Sequence, residues 1–469
     1  MMGEVDASLQ FDRGTLLLRG LGAGQRRRLP SSRIWTWDDR VGIWRTEAIN
    51  YAAVRSGLQG TSGQEVRNEV PRPRRVIWRE VCLPELRADQ REALGAWFGA
   101  GSRGQVIMPT GTGKTEVALA AMERTATSTL VVAPVRDLMY QWHRRILRGL
   151  GYDAGILGDS RRNLKPVTVT TYESAYIHMS EIGDRFGLIV FDEEHHLPGT
   201  CRREAATLCT AEKRLGLTAT PERSDGREVD LERLVGPVVY RQEIPEARGR
   251  TLADFSVVRV PVALTAEEQQ RYDRAGLTVR AYMAERRKQK AGYGWRDLCA
   301  ESGRDPEARK AQKAYYLRKS VEDRAEEKLR VLEDIFRLHS REKTIVFAGS
   351  NRMAMDVSLR FLVPTLLSHS RKKERLAVLE GFAASRFPVV VANRVLDEGV
   401  DVPEAKVAVV IGGQASTRQA KQRLGRVLRK SGRSRAVLYE VVCEDTREEQ
   451  RSRQRRRSDA YQRTRHRRL

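Results

Sequence analysis

The amino-acid sequence predicts an α/β fold with two parallel-sheet lobes, a small N-terminal α+β domain and a helical insert. Apolar segments of strand length recur between helix-forming stretches, which is typical of a parallel sheet covered by helices on both faces. The chain has 469 residues. Because one hydrophobic core rarely serves so long a chain, about two to four domains are expected.

Residues 1–56 are predicted to form the small β-rich N-terminal domain. Short apolar runs at 14–20, 34–40 and 42–45 are separated by turn residues, and a helix is expected near Glu47 to Val54. The stretch that follows contains glycine, serine, glutamine and proline residues. Residues 57–77 are therefore interpreted as a linker.

Two sets of apolar segments define the lobes. The first lobe, 78–245, has predicted strands at 105–108, 129–133, 167–171, 188–191 and 215–218. The second lobe, 246–450, has predicted strands at 344–348, 389–392, 407–411 and 436–442. Between these sets lies a charged, helix-favouring insert, 265–324, with expected interruptions at 292–294 and 303–306.

The charge balance points to a polyanionic partner. Lys and Arg number 85 against 61 Asp and Glu, a net charge of +24, and nucleic acid is the natural candidate. A host with arginine-rich proteins would explain part of this excess, but not its clustering. The basic tail, 451–469, has nine arginines against Asp459 alone, and it is expected to be disordered or to become ordered on DNA.

The cysteines and the apolar runs indicate the cellular compartment in which the protein is expected. The five cysteines are scattered without a C-x-x-C pair, which favours neither a disulfide framework nor structural zinc. No apolar run reaches the roughly 20 residues that span a bilayer. A soluble, cytoplasmic and nucleoid-associated protein is expected, with no membrane partner.

A glycine-rich turn follows the first predicted strand of the first lobe. Its candidate nucleotide-binding residues are Thr110, Gly111, Thr112, Gly113, Lys114 and Thr115. Such a turn, opening a helix, directs backbone N–H groups at a polyphosphate. The lysine would reach the terminal phosphates, and Thr115 is a candidate Mg²⁺ ligand.

Carboxylates and arginines downstream complete the expected ATP-hydrolysing set. Asp192 follows an apolar strand, so its carboxylate emerges where open α/β sheets bind ligands and can hold Mg²⁺. Glu193 is placed to polarise the attacking water. Arg426 and Arg429, one helical turn apart, are predicted to reach the γ-phosphate from the other lobe. A solvated helix face would be favoured for an isolated pair, but the neighbouring Gln422 argues for the functional interpretation.

Further candidates would contact the adenine base of ATP or the track, which is the nucleic acid along which the protein would move. Gln90, in Leu86 to Ala93, is a candidate adenine reader, although a lone glutamine in a helix is usually just exposed. His195 is predicted to link the ATP site to Thr218-Ala219-Thr220, and zinc at His195-His196 is disfavoured by their adjacency.

Candidate DNA-binding residues follow sheet strands in both lobes: Arg136, Gln141, Thr171, Tyr172, Ser350, Asn351 and Arg394. For Asp137 and Ser174 beside them, ordinary helix capping is the competing interpretation. Gly399 and Asp401 would couple the track to the nucleotide.

With these motifs in place, the chain resembles superfamily 2 helicases, and more closely the archaeal-type XPB DNA repair helicases. The resemblance covers nearly the whole chain. It is carried by Asp192-Glu-Glu-His-His-Leu-Pro198, Leu217-Thr-Ala-Thr-Pro-Glu-Arg-Ser-Asp-Gly-Arg227 and Val395-Leu-Asp-Glu-Gly-Val-Asp-Val-Pro403. It implies two RecA-like lobes using ATP and Mg²⁺, a damage-recognition domain at the N-terminus, a DNA-gripping thumb formed by the insert, and 3′ to 5′ translocation. One departure is Arg223-Ser224-Asp225, where the family has an Arg-Glu-Asp triplet associated with strand opening, because a serine supplies no carboxylate.

Other functions remain open at this stage. A motor subunit of a restriction or phage-defence system shares these motifs and would need a separate nuclease partner. A basic nucleic-acid-binding scaffold with a nucleotide switch would not require Glu193 and the two arginines. An iron–sulfur helicase is disfavoured because no cysteine lies between Lys114 and Asp192. The insert and the Asp-Glu-Glu-His sequence argue against a compact RNA helicase. A monomer is expected.

Overall fold

The computed structural model describes residues 7–24, 29, 32–59, 66–223, 225–243, 246, 255–367, 369–393, 405–412 and 436–456. The chain divides into two compact units, Met1–Glu243 and Ile244–Leu469. Each unit contains a large, mainly parallel sheet with helices packed on it, which confirms the predicted α/β class. None of the helices in these ranges is long and apolar enough to cross a lipid bilayer.

A five-stranded sheet with helix α1 forms the N-terminal domain of the first unit. The strands, β1 to β5, are Ala7–Asp12, Thr15–Arg19, Thr36–Asp38, Ile43–Glu47 and Val66–Asn68, in the order β3-β4-β2-β1-β5. Strands β1 and β2 form a hairpin whose turn residues, Arg13 and Gly14, both have positive φ angles, as a tight two-residue turn requires. Helix α1, Tyr51–Gln59, buries Val54 against the sheet.

The first lobe is an eight-stranded sheet in the order β13-β6-β12-β11-β7-β10-β8-β9. Strands β6 to β13 are Arg103–Ile107, Thr129–Ala133, Gly155–Gly158, Arg161–Asn163, Val167–Thr171, Leu188–Asp192, Lys213–Thr218 and Val238–Arg241. Helices α2 to α7 are Ala88–Gly99, Lys114–Thr125, Arg136–Leu150, Tyr172–Ile182, Glu204–Thr207 and Asp230–Leu234. The five predicted strands are confirmed. Strand β9 was not predicted because all three of its residues are exposed and polar, so it carries no apolar signal.

The second unit contains a six-stranded parallel sheet in the order β14-β19-β18-β15-β17-β16. Strands β14 to β19 are Phe255–Val262, Thr344–Ala348, Thr365–Leu366, Val389–Ala392, Val407–Ile411 and Ala436–Cys443. Helices α8 to α14 are Ala266–Gln289, Trp295–Glu301, Pro306–Asp323, Glu326–Leu338, Asn351–Phe361, Lys372–Ala383 and Arg447–Arg456. The four strands predicted for this lobe are confirmed.

The helical insert comprises α8, α9 and α10. Thr265 opens α8 with a capping box to Glu268, and Pro306 occupies the first turn of α10. The loop between α8 and α9 contains Gly292, whose φ of 82° is left-handed. The interruptions predicted from glycine and proline therefore coincide with the ends of these helices.

Two predictions about flexible segments are wrong in part. The predicted linker contains β5, which pairs in parallel with β1, and Val70, which is buried in the N-terminal core. These apolar residues are too few and too widely spaced to give a strand signal. Helix α14 includes the first six residues of the predicted disordered tail, and Arg451 contacts the buried Glu322 carboxylate. Residues 457–469 lie outside the described ranges.

Candidate nucleotide-binding site

The glycine-rich loop connects β6 to the first turn of α3. Gly111 and Gly113 have φ angles of 86° and 76°, a left-handed region that glycine enters without steric cost. A Cβ on Gly113 would lie 2.4 Å from Gln90 Nε2, so this position also lacks room for a side chain. The backbone amide of Met108 donates to Thr218 O over 3.0 Å. The loop is thus held to the neighbouring strand β12 as it leaves the sheet.

Lys114 begins α3 and turns its ammonium group back over the loop. Its Nζ donates to the carbonyls of Met108 at 2.9 Å and Pro109 at 3.3 Å. Thr112 Oγ1 donates to Pro109 O at 2.7 Å. Thr110 Oγ1 is buried and makes no hydrogen bond within the described part of the chain. A cation, an unpartnered hydroxyl and the start of a helix therefore converge on the loop, a combination that suits a polyphosphate.

Asp192 is the last residue of β11 and lies close to Lys114. Its Oδ2 accepts a hydrogen bond from Trp142 Nε1 at 2.8 Å. Burial and the neighbouring Glu193 raise the pKa of this carboxyl to about 6, against the opposing effects of Trp142 and Lys114. A divalent cation would favour the ionised form. The contact from Trp142 was not predicted from the sequence, which singled out its neighbour Gln141 instead.

Glu193 sits in a left-handed turn immediately after β11, with φ of 49°. Its Oε2 lies 3.5 Å from Thr218 Oγ1 and 3.4 Å from His195 Nδ1. His195 Nδ1 is itself 2.9 Å from Thr218 Oγ1. The predicted link from His195 to the Thr218 segment is confirmed. A non-glycine residue in this conformation costs about 1 kcal/mol or more, and the turn directs the Glu193 carboxylate away from the core.

Glu194, on the same turn, points into the core instead. It is fully buried, and neither carboxylate oxygen has a hydrogen-bond partner within the described ranges. Burial, with the charge of Glu193, raises the pKa of Glu194 well above its usual range. The space for this carboxyl comes from Gly216 on β12, where a Cβ would lie 1.6 Å from Glu194 Oε2. Sequence reasoning did not identify this pair, because the spacing of 22 residues carries no pattern.

Gln90, the candidate adenine reader, is buried rather than exposed. Its Nε2 donates to Thr112 O at 3.0 Å and Gly113 O at 3.3 Å, while its Oε1 accepts from the Arg87 amide at 3.0 Å. Arg87 also donates to Thr112 O. The helix before the lobe therefore braces the phosphate loop from behind. The expectation that such a glutamine is usually exposed does not hold here.

The track candidates in the first lobe differ in availability. Arg136 is mostly exposed and pairs with Asp159 at 2.8 Å, and Gln141 is half-buried. Thr171 caps α5 by accepting from the Ser174 amide, so the capping hydroxyl is that of Thr171. Tyr172 is fully buried beside Phe191, and its hydroxyl donates to Asp192 O at 3.1 Å. The prediction that the Tyr172 side chain contacts DNA is therefore wrong, because the ring belongs to the core.

In the second unit, the described candidates again lie where a strand meets a helix. Ser350 caps α12 by accepting from the Met353 amide at 3.2 Å. Asn351 Oδ1 accepts from Asn393 Nδ2 at 2.7 Å. Six predicted residues lie outside the described ranges: Arg394, Gly399, Asp401, Gln422, Arg426 and Arg429.

The first lobe brings together the phosphate-binding, metal-binding and water-orienting groups that phosphoanhydride hydrolysis requires. The loop and Lys114 can cradle phosphates, Thr115 and Asp192 can hold Mg²⁺, and Glu193 can orient a water. These residues follow the carboxyl ends of β6 and β11, two parallel strands that pair on either side of β12. The residues present therefore fit a Mg²⁺–nucleotide, and the arrangement is that of an ATPase.

Comparisons with known proteins agree with this geometry. Residues 83–223 match the family described as "Type III restriction enzyme, res subunit". Residues 311–462 match "ERCC3/RAD25/XPB C-terminal helicase", and residues 9–70 match "Xeroderma pigmentosum group B helicase damage recognition domain". The matches to the two XPB families lie on either side of the ATPase lobe.

Two curated relatives illustrate the similarity. The chain is 40% identical over 373 residues to the "DNA 3'-5' translocase XPB2" of Sulfurisphaera tokodaii, covering 79% of this chain and 84% of that protein. It is 31% identical to the "DNA 3'-5' helicase XPB" of Mycobacterium tuberculosis, covering 77% of this chain but 61% of that longer protein. Among solved structures, the Pyrococcus furiosus Hef helicase domain aligns with a TM-score of 0.51 at 18% identity, covering 80% of this chain and 98% of that domain. This last likeness supports the two-lobed helicase fold alone.

Proposed function

This chain belongs to the XPB family of superfamily 2 DNA helicases, and we propose that it is a DNA-dependent ATPase that moves 3′ to 5′ along DNA, in DNA repair. The observation that carries the proposal is the convergence of Lys114, Asp192 and Glu193 on the glycine-rich loop. The net charge of +24 suits a polyanionic track.

In this proposal, each group at the site has a separate task. Lys114 exchanges the loop carbonyls for phosphate oxygens when ATP binds. Thr115 and Asp192 hold Mg²⁺, which when bound neutralises charge on the phosphates. Glu193 orients and polarises the attacking water, and its contacts with Thr218 and His195 fix the direction of its carboxylate.

The same contacts offer a route by which hydrolysis is communicated through the lobe. Thr218 Oγ1 also accepts from the Thr220 amide at 3.1 Å, so the Glu193 carboxylate is joined to the segment after β12. Arg223 donates to His195 O and binds Asp225 with two hydrogen bonds of 2.8 and 2.6 Å. We propose that a displacement of the Glu193 carboxylate alters the position of Arg223 through His195.

The residues favour translocation along DNA over strand separation. Ser224 stands where the family carries a glutamate. The Asp225 carboxylate is engaged by Arg223, which with its other neighbours keeps the pKa of Asp225 low. This carboxylate is therefore not a free substitute for the missing charge. Translocation is measured by the displacement of a protein bound to the DNA or of the third strand of a triplex. Strand separation is measured by the unwinding of a forked duplex.

The testing experiment is steady-state ATP hydrolysis with no nucleic acid, single-stranded DNA, forked duplex DNA or RNA. Stimulation by DNA and not by RNA is expected, with Lys114→Ala as the inactive blank. Glu193→Gln should bind ATP and hold DNA without turnover, because the amide cannot polarise water as a carboxylate does. Wild-type turnover in either variant contradicts the site assignment. The absence of any stimulation contradicts the motor.

The alternative of a restriction or phage-defence motor is not favoured. Its support is the match over 83–223, whereas the matches on both sides of that segment are to XPB families. A separate nuclease partner and a monomeric state are retained as proposals. Sedimentation of the purified chain, alone and with DNA, tests the monomer directly.

A further inference from the structure

Within the segment predicted as a linker, residues 71–75 form an ordered strap across the sheet of the first lobe. Residues 71–75 read Pro-Arg-Pro-Arg-Arg. The backbone of this strap is fixed by Arg74 O, which accepts from the Ser128 amide at 2.7 Å, and by an isolated bridge between Arg75 and Thr127. Since Ser128 directly precedes β7, the strap crosses the amino ends of the parallel strands. The nucleotide site lies at their carboxyl ends.

The strap separates two cavities of about 920 and 380 Å³. Eight cationic side chains line them, against three carboxylates. Two of these cations are paired: Arg55 with Glu212 at 2.8 Å and Lys165 with Asp153 at 2.5 Å. The other six make no ion pair within the described ranges, and we call them the basic strap surface: Arg72, Arg74, Arg75, Arg124, Arg185 and Lys213.

The strap is stiff and extended, and its arginines face both cavities, with Arg75 lining the larger one and Arg74 the smaller. Pro71 and Pro73 fix their own φ angles and keep the residues before them extended. At about 3.3 Å per residue, the three steps from Arg72 to Arg75 span roughly 10 Å. Because the strap is already ordered, its arginines can bind phosphates without a large entropic cost of ordering.

The side chains of the basic strap surface suit the phosphates of DNA rather than its bases. Of the rings that line the two cavities, Tyr51 and Phe186 are both buried, so no ring is available to stack on an unpaired base. Cations without aromatic partners bind phosphates and leave the bases unread. We infer that the basic strap surface is a second DNA-binding surface that holds the backbone of duplex DNA, at the edge of the sheet opposite the nucleotide site. This inference rests on the proposed function, which supplies DNA as the ligand.

The test compares the salt dependence of duplex DNA binding by the full-length chain. Arg72→Gln/Arg75→Gln removes two charges from the strap, and Arg124→Gln/Lys213→Gln removes two from the lobe side of the same cavity. Arg341→Gln/Arg386→Gln is the matched control, because both arginines are exposed and precede β15 and β17, at the ends of those strands opposite the candidate DNA-binding residues. All these substitutions keep the charge change equal. Thermal unfolding verifies that each variant is folded.

We expect each of the two test variants to bind duplex DNA more weakly at low salt. The slope of log affinity against log salt should become shallower by about 1.8, since each neutralised phosphate contributes roughly 0.9. The control should keep a slope near that of the wild type, and ATP hydrolysis without DNA should be unchanged in all three. Equal slopes in the test and control variants would overturn the inference while leaving the motor intact. Failure of the wild type to bind DNA or respond to it would instead remove the proposed function.

Discussion

Gly216 provides a test of how the catalytic turn is held in place. A Cβ at this position would lie 1.6 Å from Glu194 Oε2, 2.5 Å from Glu194 Cδ and 2.9 Å from Val235 Cγ1. To restore a separation of 3.0 Å, the carboxylate must retreat by 3.0 − 1.6, or about 1.4 Å. Because Glu194 is fully buried, it cannot turn into solvent, and the displacement is passed to the adjacent Glu193.

Gly216→Ala should therefore reduce ATP turnover far more than it reduces ATP binding. A displacement of about 1 Å at a reacting group costs on the order of 100-fold in rate, so a fall in kcat of about 100-fold is expected. Overpacking of this kind also destabilises a core by roughly 1–3 kcal/mol. DNA-stimulated ATP hydrolysis measures the first effect, and urea denaturation measures the second.

A second substitution should reverse the defect. Glu194→Ala removes the carboxylate that Gly216→Ala would strike, and it leaves no hydrogen bond unmade within the described ranges because neither oxygen has a partner. The double variant is expected to recover most of the turnover, with Glu194→Ala alone close to the wild type. If Gly216→Ala hydrolyses ATP at the wild-type rate, or if the double variant is as slow as the single one, the argument from packing is refuted.

Three further predictions concern separate contacts. Trp142→Phe removes the hydrogen bond to Asp192 and should raise the Mg²⁺ concentration for half-maximal turnover about 10-fold or more; an unchanged Mg²⁺ titration contradicts this role. Gln90→Ala should lose preference for ATP over GTP, measured as the ratio of kcat/KM values, and an intact ratio would limit Gln90 to bracing the loop. Lys328→Met leaves the buried Glu448 unpaired and should cost about 3–5 kcal/mol of unfolding free energy at neutral pH. Burial raises the pKa of Glu448, but Lys328, the Cys443 amide and Arg451 together keep this pKa below its usual value of 4.5. The stabilisation is therefore complete above pH 4.5, and the gap between the variants should shrink as the pH falls below it.

Much of the fold was predictable because its signals are local. The nine predicted strands were identified from short apolar runs, since a strand covered on both faces by helices must be apolar throughout. The strands missed in the first lobe lie at or near the sheet edges, where exposure permits polar residues, as in β9. The phosphate loop was equally readable, because its glycines are required by the backbone itself.

The candidate site was less readable where its residues act through contacts distant in sequence. Trp142 and Asp192 are 50 positions apart, and Gln90 reaches the loop from 22 residues away. Tyr172 was misassigned because a tyrosine after a strand can face either the solvent or the core. Its burial is decided by packing beside Phe191, which no local pattern records.

The sequence by itself predicted the motor, because the loop, the Asp-Glu pair and the downstream arginines are residue types that phosphate binding and hydrolysis require, each at a short spacing within its own motif. Only the tertiary structure decided which distant residues pack around them. It placed the buried Glu194 against Gly216, and it laid residues 71–75 across the strand edge as an ordered basic strap. The physical reason is that packing and backbone hydrogen bonds join residues far apart in the chain, so they leave no periodic trace in the order of its residues.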